Sequence, residues 1–240
     1  MNILKINNIS KNFGSEKILS DVSFSLKKGD TMSLLGTSGS GKTTLLKIIA
    51  GLETQNSGNI FLNEIDISNT KPQDRKCVYL FQEPLLFPHL NVFENIAFGL
   101  RIRNENKELI NAKVNHILEL IDLKSHALKT TNQLSGGQKQ RVSFARAMII
   151  EPKILLLDEP FGALDSNTRK QMQMLYKDLT HILEITALFV THDLKEAIIM
   201  GDSISKIANG KLTLFENKSS FFQDETLGIQ NEINFWKQFN

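Results

Sequence analysis

Cysteine is almost absent from this sequence. The chain of 240 residues contains a single cysteine, Cys77, so no disulfide bond can form within it. Folds that depend on a disulfide framework are therefore excluded, and a reducing compartment such as the cytoplasm is the expected location.

An excess of charge of either sign is also missing. Lys and Arg number 28 against 26 Asp and Glu, which gives a formal net charge of +2. The sequence contains no polybasic stretch that would indicate a nucleic-acid partner. It also contains no acidic stretch of the kind that is typical of a disordered tail. Partners must therefore be inferred from specific sites rather than from bulk charge.

Long apolar runs are lacking as well. The most apolar stretches, KILLLDEP and EITALFVTHD, are far shorter than the roughly 20 residues that a membrane-spanning helix needs. The N-terminal MNILKINNIS has neither the charged segment nor the apolar run of a secretory signal. We therefore expect a chain that does not cross a membrane by itself and that contacts one only through a partner.

Strand-like and helix-like stretches alternate along the chain. Short β-branched stretches such as VSFSL, TMSLLG and NIFLNEID predict strands in the first part. Apolar residues at helical spacing predict a helix over 107–123, within helical material from about 91 to 129. KILLLD and TALFVTH are typical of buried parallel strands, with a helix between them. This order predicts an α/β core that carries an inserted helical subdomain.

The glycine-rich stretch LLGTSGSGKTTLLKIIAGL, residues 34–52, runs from an apolar strand into an apolar helix. Gly36, Gly41, Lys42 and Thr43 match the spacing of a phosphate-binding loop. Bare backbone N–H groups and the start of the following helix attract phosphate, which Lys42 is expected to neutralise further. The Thr43 hydroxyl is expected to bind Mg²⁺. The alternative, a flexible Gly/Ser loop, is disfavoured by the flanking strand and helix.

Two acidic residues follow the apolar run KILLL. Asp158 lies at the carboxyl end of this predicted strand, where ligands bind in open α/β sheets, and is expected to reach Mg²⁺ through water. Glu159 is expected to point the opposite way on an extended backbone and to orient or deprotonate the attacking water. Alternatively, two acids before Pro160 only solvate a strand end. The phosphate loop favours the catalytic pair.

A second anion-binding pattern occurs in LSGGQ, residues 134–138. Ser135, Gly136 and Gly137 stand at the start of a predicted helix, and such a start binds anions. Either one molecule binds two anions, or each of the two sites completes the site of a partner. The alternative is an ordinary serine N-cap followed by a glycine turn.

LSGGQ, the following QRVSFARA, LLLDEPFGALD and VTHD together resemble the ATP-binding subunit of ABC transporters. The resemblance extends from Phe13 to about Lys211. It implies an α/β fold with a P-loop NTPase core, an N-terminal antiparallel β subdomain and an inserted helical subdomain. The implied parts of this single ATP-binding domain are residues 1–90 and 150–215 (core and β subdomain), 91–149 (helical subdomain) and 216–240 (C-terminal tail).

The resemblance also implies ATP and Mg²⁺ as ligands and gives individual residues a role. Phe13 is implied to stack on adenine, Gln82 to sense Mg²⁺ and the attacking water, and His192 to contact the γ-phosphate. The implied catalytic residues are Glu159, His192, Gln82 and Lys42, and the implied metal ligands are Thr43, Gln82 and Asp158. The implied nucleotide contacts are Phe13, Gly36, Ser38, Gly39, Ser40, Gly41, Lys42, Thr43, Thr44, Ser135, Gly136, Gly137, Gln138 and Asp165. A core phenylalanine, a surface glutamine and a structural histidine are the alternatives for Phe13, Gln82 and His192.

The implied assembly is a head-to-tail homodimer in which the serine and glycines of LSGGQ complete the ATP site of the opposing subunit, and Asp165 communicates across the interface. FPHLNVFENIAFGLR resembles importer subunits for sugars, polyamines, iron or inorganic anions. That likeness implies transmembrane permease subunits, a solute-binding protein, no nucleic acid and a place on the cytoplasmic side of the plasma membrane. A soluble ABC-type ATPase that acts on nucleic acid or ribosomes is the alternative, and a nucleotide-dependent scaffold is a third.

The C-terminal tail is rich in phenylalanine and contains the only tryptophan, Trp236. These aromatic side chains are expected to dock the tail on its own core, with a partner site as the alternative.

Overall fold

The computed structural model describes residues 1–215 and 218–224. The described strands are β1 (Asn2–Phe13), β2 (Glu16–Lys27), β3 (Thr31–Leu35), β4 (Ser57–Leu62), β5 (Ile65–Asp66), β6 (Cys77–Leu80), β7 (Ile154–Asp158), β8 (Ala187–Thr191), β9 (Ser203–Ala208) and β10 (Lys211–Leu214). The described α-helices are α1 (Lys42–Ala50), α2 (Val92–Ile102), α3 (Lys107–Leu120), α4 (Gly136–Met148), α5 (Ser166–Ile182), α6 (Leu194–Met200) and α7 (Lys218–Phe222).

Two sheets organise these elements. One has the order β2-β1-β4-β5 and is antiparallel, and the other has the order β10-β9-β3-β8-β7-β6. Strands β9, β3, β8, β7 and β6 pair in parallel, and only β10 adds to the edge in the antiparallel sense. The α/β class, the mostly parallel main sheet and the N-terminal antiparallel sheet are confirmed.

The register of the parallel sheet brings several strand ends to one edge. Leu35 at the end of β3 lies opposite Thr191 at the end of β8, and Asp158 at the end of β7 lies opposite Val190. β6 ends alongside at Leu80, which pairs with Leu157 of β7. The segments that follow these four strands therefore emerge side by side, where ligands bind in open α/β sheets.

Helices α2, α3 and α4 share one apolar core with the main sheet. Buried side chains from all three helices pack in a cluster that includes Leu155 and Leu157 of β7 and Phe189 of β8. Helical material between 91 and 129 is confirmed, but α3 ends at Leu120, three residues before the predicted end. Asp122 has φ +54°, a left-handed conformation that stops an α-helix. The subdomain boundaries at residues 90 and 149 stay a prediction.

Part of the C-terminal segment docks on the core. Phe221 of α7 is fully buried in a cluster with Leu35, Ala197 and Ile204, and its ring lies edge-on to Phe215 at 5.1 Å. Docking is thus confirmed for this aromatic residue, while Trp236 lies outside the described residues. Within the described ranges, no helix is both long and apolar enough to span a membrane.

Candidate functional site

The phosphate loop connects β3 to α1 and depends on glycine at two positions. A Cβ on Gly36 would lie 2.6 Å from the carbonyl oxygen of Ile207, so a larger residue cannot be accommodated there without a backbone shift. Gly41 has φ +101° and no space for a side chain, since a Cβ would lie 2.8 Å from Leu19 Cδ2. Gly41 also begins α1 without a side-chain cap. The first turn of α1 therefore presents its amides at the loop, as anion binding requires.

Lys42 is buried within this loop. Its Nζ donates hydrogen bonds of 2.8 Å to the carbonyl oxygens of Gly36 and Thr37, and it lies 3.8 Å from Glu159 Oε1. Burial lowers the pKa of the Lys42 ammonium, and the carboxylates of Glu159 and Asp158 oppose that effect. The Lys42 ammonium thus lies between the carbonyl groups of the loop and the acidic residues at the end of β7.

Asp158 and Thr43 form a cluster of hard oxygen donors. The Thr43 hydroxyl donates to Asp158 Oδ1 at 3.1 Å, which links the start of α1 to the end of β7. Mg²⁺ prefers such hydroxyl and carboxylate oxygens and keeps several of its own waters. The donor set of these two residues therefore fits a magnesium ion bound together with a phosphate ligand.

Glu159 does not continue the strand, and the extended backbone predicted for it is wrong. Its φ is +46°, a left-handed conformation, and its N–H donates to the Val190 carbonyl at 3.1 Å. The turn toward β8 carries the Glu159 carboxylate to His192, where Oε2 lies 2.8 Å from the ring Nδ1. Glu159 and Asp158 still diverge, but a left-handed residue causes the divergence rather than strand alternation.

A cleft of about 460 Å³ joins these groups. Its lining residues are Glu16, Ile18, Ser38, Gly39, Gly41, Lys42, Thr43, Thr44, Gln82, Asp158 and Glu159. The Gln82 side chain is exposed here and lies against Gly162, with Nε2 2.9 Å from where a Cβ on Gly162 would sit. Ser40 lies beneath the loop at 8% exposure rather than on the lining of the cleft. Six of the predicted loop residues thus converge with Gln82 and the two acidic residues.

Phe13 lies beside this cleft at the end of β1. Its backbone pairs with that of Glu16, a lining residue, and 48% of Phe13 is exposed. The Lys11 ammonium lies 4.7 Å from the centroid of the Phe13 ring. Phe13 is therefore a surface aromatic held by a cation–π contact and not a core residue.

The residues of LSGGQ lie at a different place. Ser135 caps α4: its Oγ accepts from the Gln138 N–H at 3.3 Å, and Gln138 Oε1 accepts from the Ser135 N–H at 2.9 Å. This reciprocal pair is a capping box. Ser135, Gly137 and Gln138 line a second cleft of about 310 Å³, which shares no lining residue with the first. The structure therefore does not bring these residues to the phosphate loop of their own chain.

Asp165 caps α5 in a similar way. Its Oδ1 accepts from the amides of Asn167 and Thr168, each at 3.1 Å. Hydrogen bonds from Thr168, first of all from its hydroxyl, hold the pKa of Asp165 below its usual range. A Cβ on Gly137 would lie 2.6 Å from Thr168 Cγ2, so the start of α4 packs directly on the start of α5.

Comparison with known proteins identifies the family. The family model described as "ABC transporter" matches residues 19–162, which include the phosphate loop, LSGGQ, Asp158 and Glu159. The chain belongs to the ABC transporter family. The predicted resemblance is thereby confirmed, and with it ATP binding and ATPase activity.

Relatives of this ABC protein carry specific names. A probable sulfate/thiosulfate import ATP-binding protein, CysA, of Chlorella vulgaris is 49% identical over 212 residues, which cover 88% of this chain and 89% of the relative. The CysA proteins of Yersinia pestis and Escherichia coli K12 are 47% and 48% identical over 213 residues. The match covers 87% of this chain but only 59% and 58% of those two relatives.

Two polar contacts of the ABC site were missed by the sequence analysis. The Tyr79 hydroxyl on β6 donates to Asp158 Oδ2 at 2.5 Å, and burial, followed by the Asp158 contact, raises the pKa of this phenol. The carboxylate of Glu196 accepts from Thr191 Oγ1 at 2.8 Å and from Gln173 Nε2 at 3.2 Å, so it links the end of β8 to α5. Tyr79 and Asp158 are 79 positions apart, and Gln173 and Glu196 are 23 apart, so no local pattern could have indicated these two contacts.

Proposed function

We propose that this chain hydrolyses ATP with Mg²⁺ as part of a head-to-tail homodimer and thereby energises the import of sulfate or thiosulfate through transmembrane permease subunits. The observation that carries the catalytic part is the convergence of Lys42, Asp158 and Glu159 on one cleft at the edge of a parallel sheet. The import part is supported by the names of relatives that are 47–49% identical.

Different residues of the cleft have different roles in phosphoryl transfer. The loop amides and Lys42 hold the phosphates, while the oxygens of Thr43 and Asp158 hold the cation. A Mg²⁺ ion held by Thr43 and Asp158 would offset the negative charge that develops on the phosphate oxygens. Gln82 lines the same cleft and would contact the cation and the attacking water.

Glu159 acts on the attacking water. Its carboxylate is anchored at Oε2 by His192, 2.8 Å away, and at Oε1 by the more distant Lys42. A carboxylate held in one orientation can accept a hydrogen bond from water and take its proton as the oxygen attacks phosphorus. His192 uses its second ring nitrogen to contact the γ-phosphate.

The proposed dimer is supported by the separation of the two anion sites. Ser135, Gly136 and Gly137 line or flank a cleft distinct from the phosphate loop, yet they form an anion-binding helix start. A two-fold pair satisfies both sites at once, because each chain supplies the loop for one ATP and the helix start for the other. Gln138 holds Ser135 in place, and Asp165 lies next to the same surface.

The transported anion is inferred from relatives rather than from this cleft. The chain spans only 58–59% of two of the relatives, so their full activity is transferred here as a proposal. We place the chain on the cytoplasmic face of the membrane, bound to permease subunits that receive solute from a binding protein. Nucleic acid is not a partner in this proposal.

Glu159→Gln tests the catalytic assignment. The amide keeps the shape of the side chain but cannot take a proton, so ATP turnover is expected to fall by about 10²–10⁴-fold while ATP binding persists. In light scattering with ATP, the variant is expected to run as a stable dimer. Glu151→Gln is the matched control, because Glu151 also has a left-handed φ, +51°, but pairs with Lys113, and neither residue lines the cleft. Unchanged turnover in Glu159→Gln excludes the assigned role.

Transport is tested with the assembled complex. The chain is purified from membranes with its permease subunits, reconstituted in vesicles, and assayed for uptake of radiolabelled sulfate against phosphate and maltose. ATP-dependent uptake of sulfate alone is the expected result. Co-purification with RNA, and no membrane protein, would instead support the soluble ATPase.

A further inference from the structure

Both oxygens of the Asp158 carboxylate are engaged by other side chains. Oδ1 accepts from the Thr43 hydroxyl at 3.1 Å, and Oδ2 accepts from the Tyr79 hydroxyl at 2.5 Å. Hydrogen bonds to an ionised acceptor are shorter and stronger than neutral ones, and the Tyr79 contact is at the short end of that range. One oxygen therefore faces the phosphate loop, and the other faces β6.

We propose that Tyr79 is a positioning residue for the metal site, because its hydroxyl fixes the Asp158 carboxylate so that Oδ1 is directed at Thr43 and the cation. This inference rests on the proposed use of Mg²⁺. It adds a residue that belongs neither to the phosphate-loop pattern nor to the acidic pair Asp158 and Glu159.

The Tyr79 side chain is itself held rigidly. It is only partly exposed, and its ring lies 4.6 Å from that of Phe81, two residues further along the same strand direction. Its backbone is fixed by the parallel pairing with Leu156 of β7. A tyrosine has few rotatable bonds, so a packed ring presents its hydroxyl at a defined point.

A purely structural role does not account for the hydroxyl. Backbone pairing already joins β6 to β7 over four consecutive residue pairs, and a phenylalanine ring would fill the same space. What the hydroxyl adds is the orientation of one carboxylate. Groups that orient a metal ligand typically change metal affinity by about 10–100-fold when they are removed.

The test is Tyr79→Phe, with Tyr176→Phe as the matched control. Tyr176 is the only other tyrosine, and it is buried among the rings of Phe144, Phe161 and Phe189 rather than in the cleft. The affinity for ATP is measured by calorimetry twice, once with Mg²⁺ and once with EDTA. Direct binding of Mn²⁺ to the ATP complex, followed by electron paramagnetic resonance, gives a readout that does not depend on turnover.

Tyr79→Phe is expected to weaken Mn²⁺ binding by about 10-fold or more and to reduce the gain in ATP affinity that Mg²⁺ provides. Its ATP affinity in EDTA is expected to match the wild type, and Tyr176→Phe is expected to change neither quantity. In an Asp158→Asn background, Tyr79→Phe is expected to have no further effect, as a double-mutant cycle requires for one coupled pair.

Two results separate the inference from the function on which it rests. A Tyr79→Phe protein that keeps the full wild-type response to Mg²⁺ overturns the role of Tyr79 alone, as does an equal loss of affinity with and without Mg²⁺. A wild-type protein that binds ATP equally well in Mg²⁺ and in EDTA overturns the proposed metal site and the role of Tyr79 with it.

Discussion

Arg75 offers the sharpest test of how the phosphate-loop helix is supported. Its guanidinium is 3% exposed and donates hydrogen bonds of 2.7–3.0 Å to four backbone carbonyls. The acceptors are Ile48, Ile49, Ser68 and Thr70. Two of them lie in the last turn of α1, so Arg75 joins the C-terminal end of that helix to the segment after β5. Burial lowers the pKa of this guanidinium.

Arg75→Met removes the donors and keeps much of the side-chain volume. All four carbonyls lose a hydrogen bond, but the Ile48 carbonyl retains the Gly51 N–H, so three are left without a partner among the described residues. At about 1–2 kcal/mol for each unsatisfied buried group, the loss is about 3–6 kcal/mol. Removal of the guanidinium also removes the cost of burying its charge, which offsets part of this loss. We therefore expect a net destabilisation of about 3–4 kcal/mol. For a chain of this size that corresponds to a fall in Tm of about 6–16 °C.

The assay is urea and thermal unfolding without nucleotide, followed by circular dichroism. Arg103→Met is the control, because Arg103 is exposed and donates to a single carbonyl, that of Ile150; a change within about 0.5 kcal/mol is expected there. Arg75→Lys is expected to fall between wild type and Arg75→Met, since one ammonium cannot reach all four acceptors. An Arg75→Met protein as stable as the Arg103 control would refute the reasoning.

Two further predictions concern single sites. Gly36→Ala is expected to lower ATP affinity at least about 10-fold, because its Cβ would meet a backbone oxygen at 2.6 Å. Gly14→Ala, at φ +58° in open space, is expected to cost about 1 kcal/mol of stability and to leave affinity unchanged; equal affinities in the two variants, by calorimetry, would contradict this. Burial raises the pKa of the Cys77 thiol to about 12, so labelling by an aromatic disulfide at pH 8 is expected to be about 1000-fold slower than in the urea-unfolded chain. Because the pKa of Cys77 is raised in the folded state, the protonated thiol stabilises the fold, and this contribution to the free energy of unfolding is lost as the pH rises from about 9 toward 12. A labelling rate within 10-fold of that of the unfolded chain would show that the thiol is accessible.

Local motifs of the site could be predicted from the sequence because the residues of each motif are close together in the chain. The phosphate loop, the Ser135 cap and the apolar strands β7 and β8 all depend on contacts within a few positions. The order of these elements also indicated the α/β class. The strands β6, β9 and β10 were not predicted individually.

Contacts that depend on sheet order could not be predicted. Tyr79 and Asp158 are 79 positions apart and meet only because β6 and β7 are neighbours. The backbone of Glu159 was predicted wrongly because alternation assumes that a strand continues, whereas a left-handed residue ends it. The proposed pairing of Ser135 with a partner's ATP depends on a second chain, which no pattern in one sequence can position.

The close approach of Gly137 to Thr168 has a consequence for mutational work on LSGGQ. A Cβ at position 137 would lie 2.6 Å from Thr168 Cγ2, so a substitution there requires Thr168, which donates to the Asp165 cap, to move within the same chain. Inactivity after substitution there therefore mixes an intramolecular packing defect with any lost contact to nucleotide. Gly136 has no atom within 4 Å of an added Cβ, so Gly136→Ala is the cleaner probe of what this surface touches in an assembled transporter.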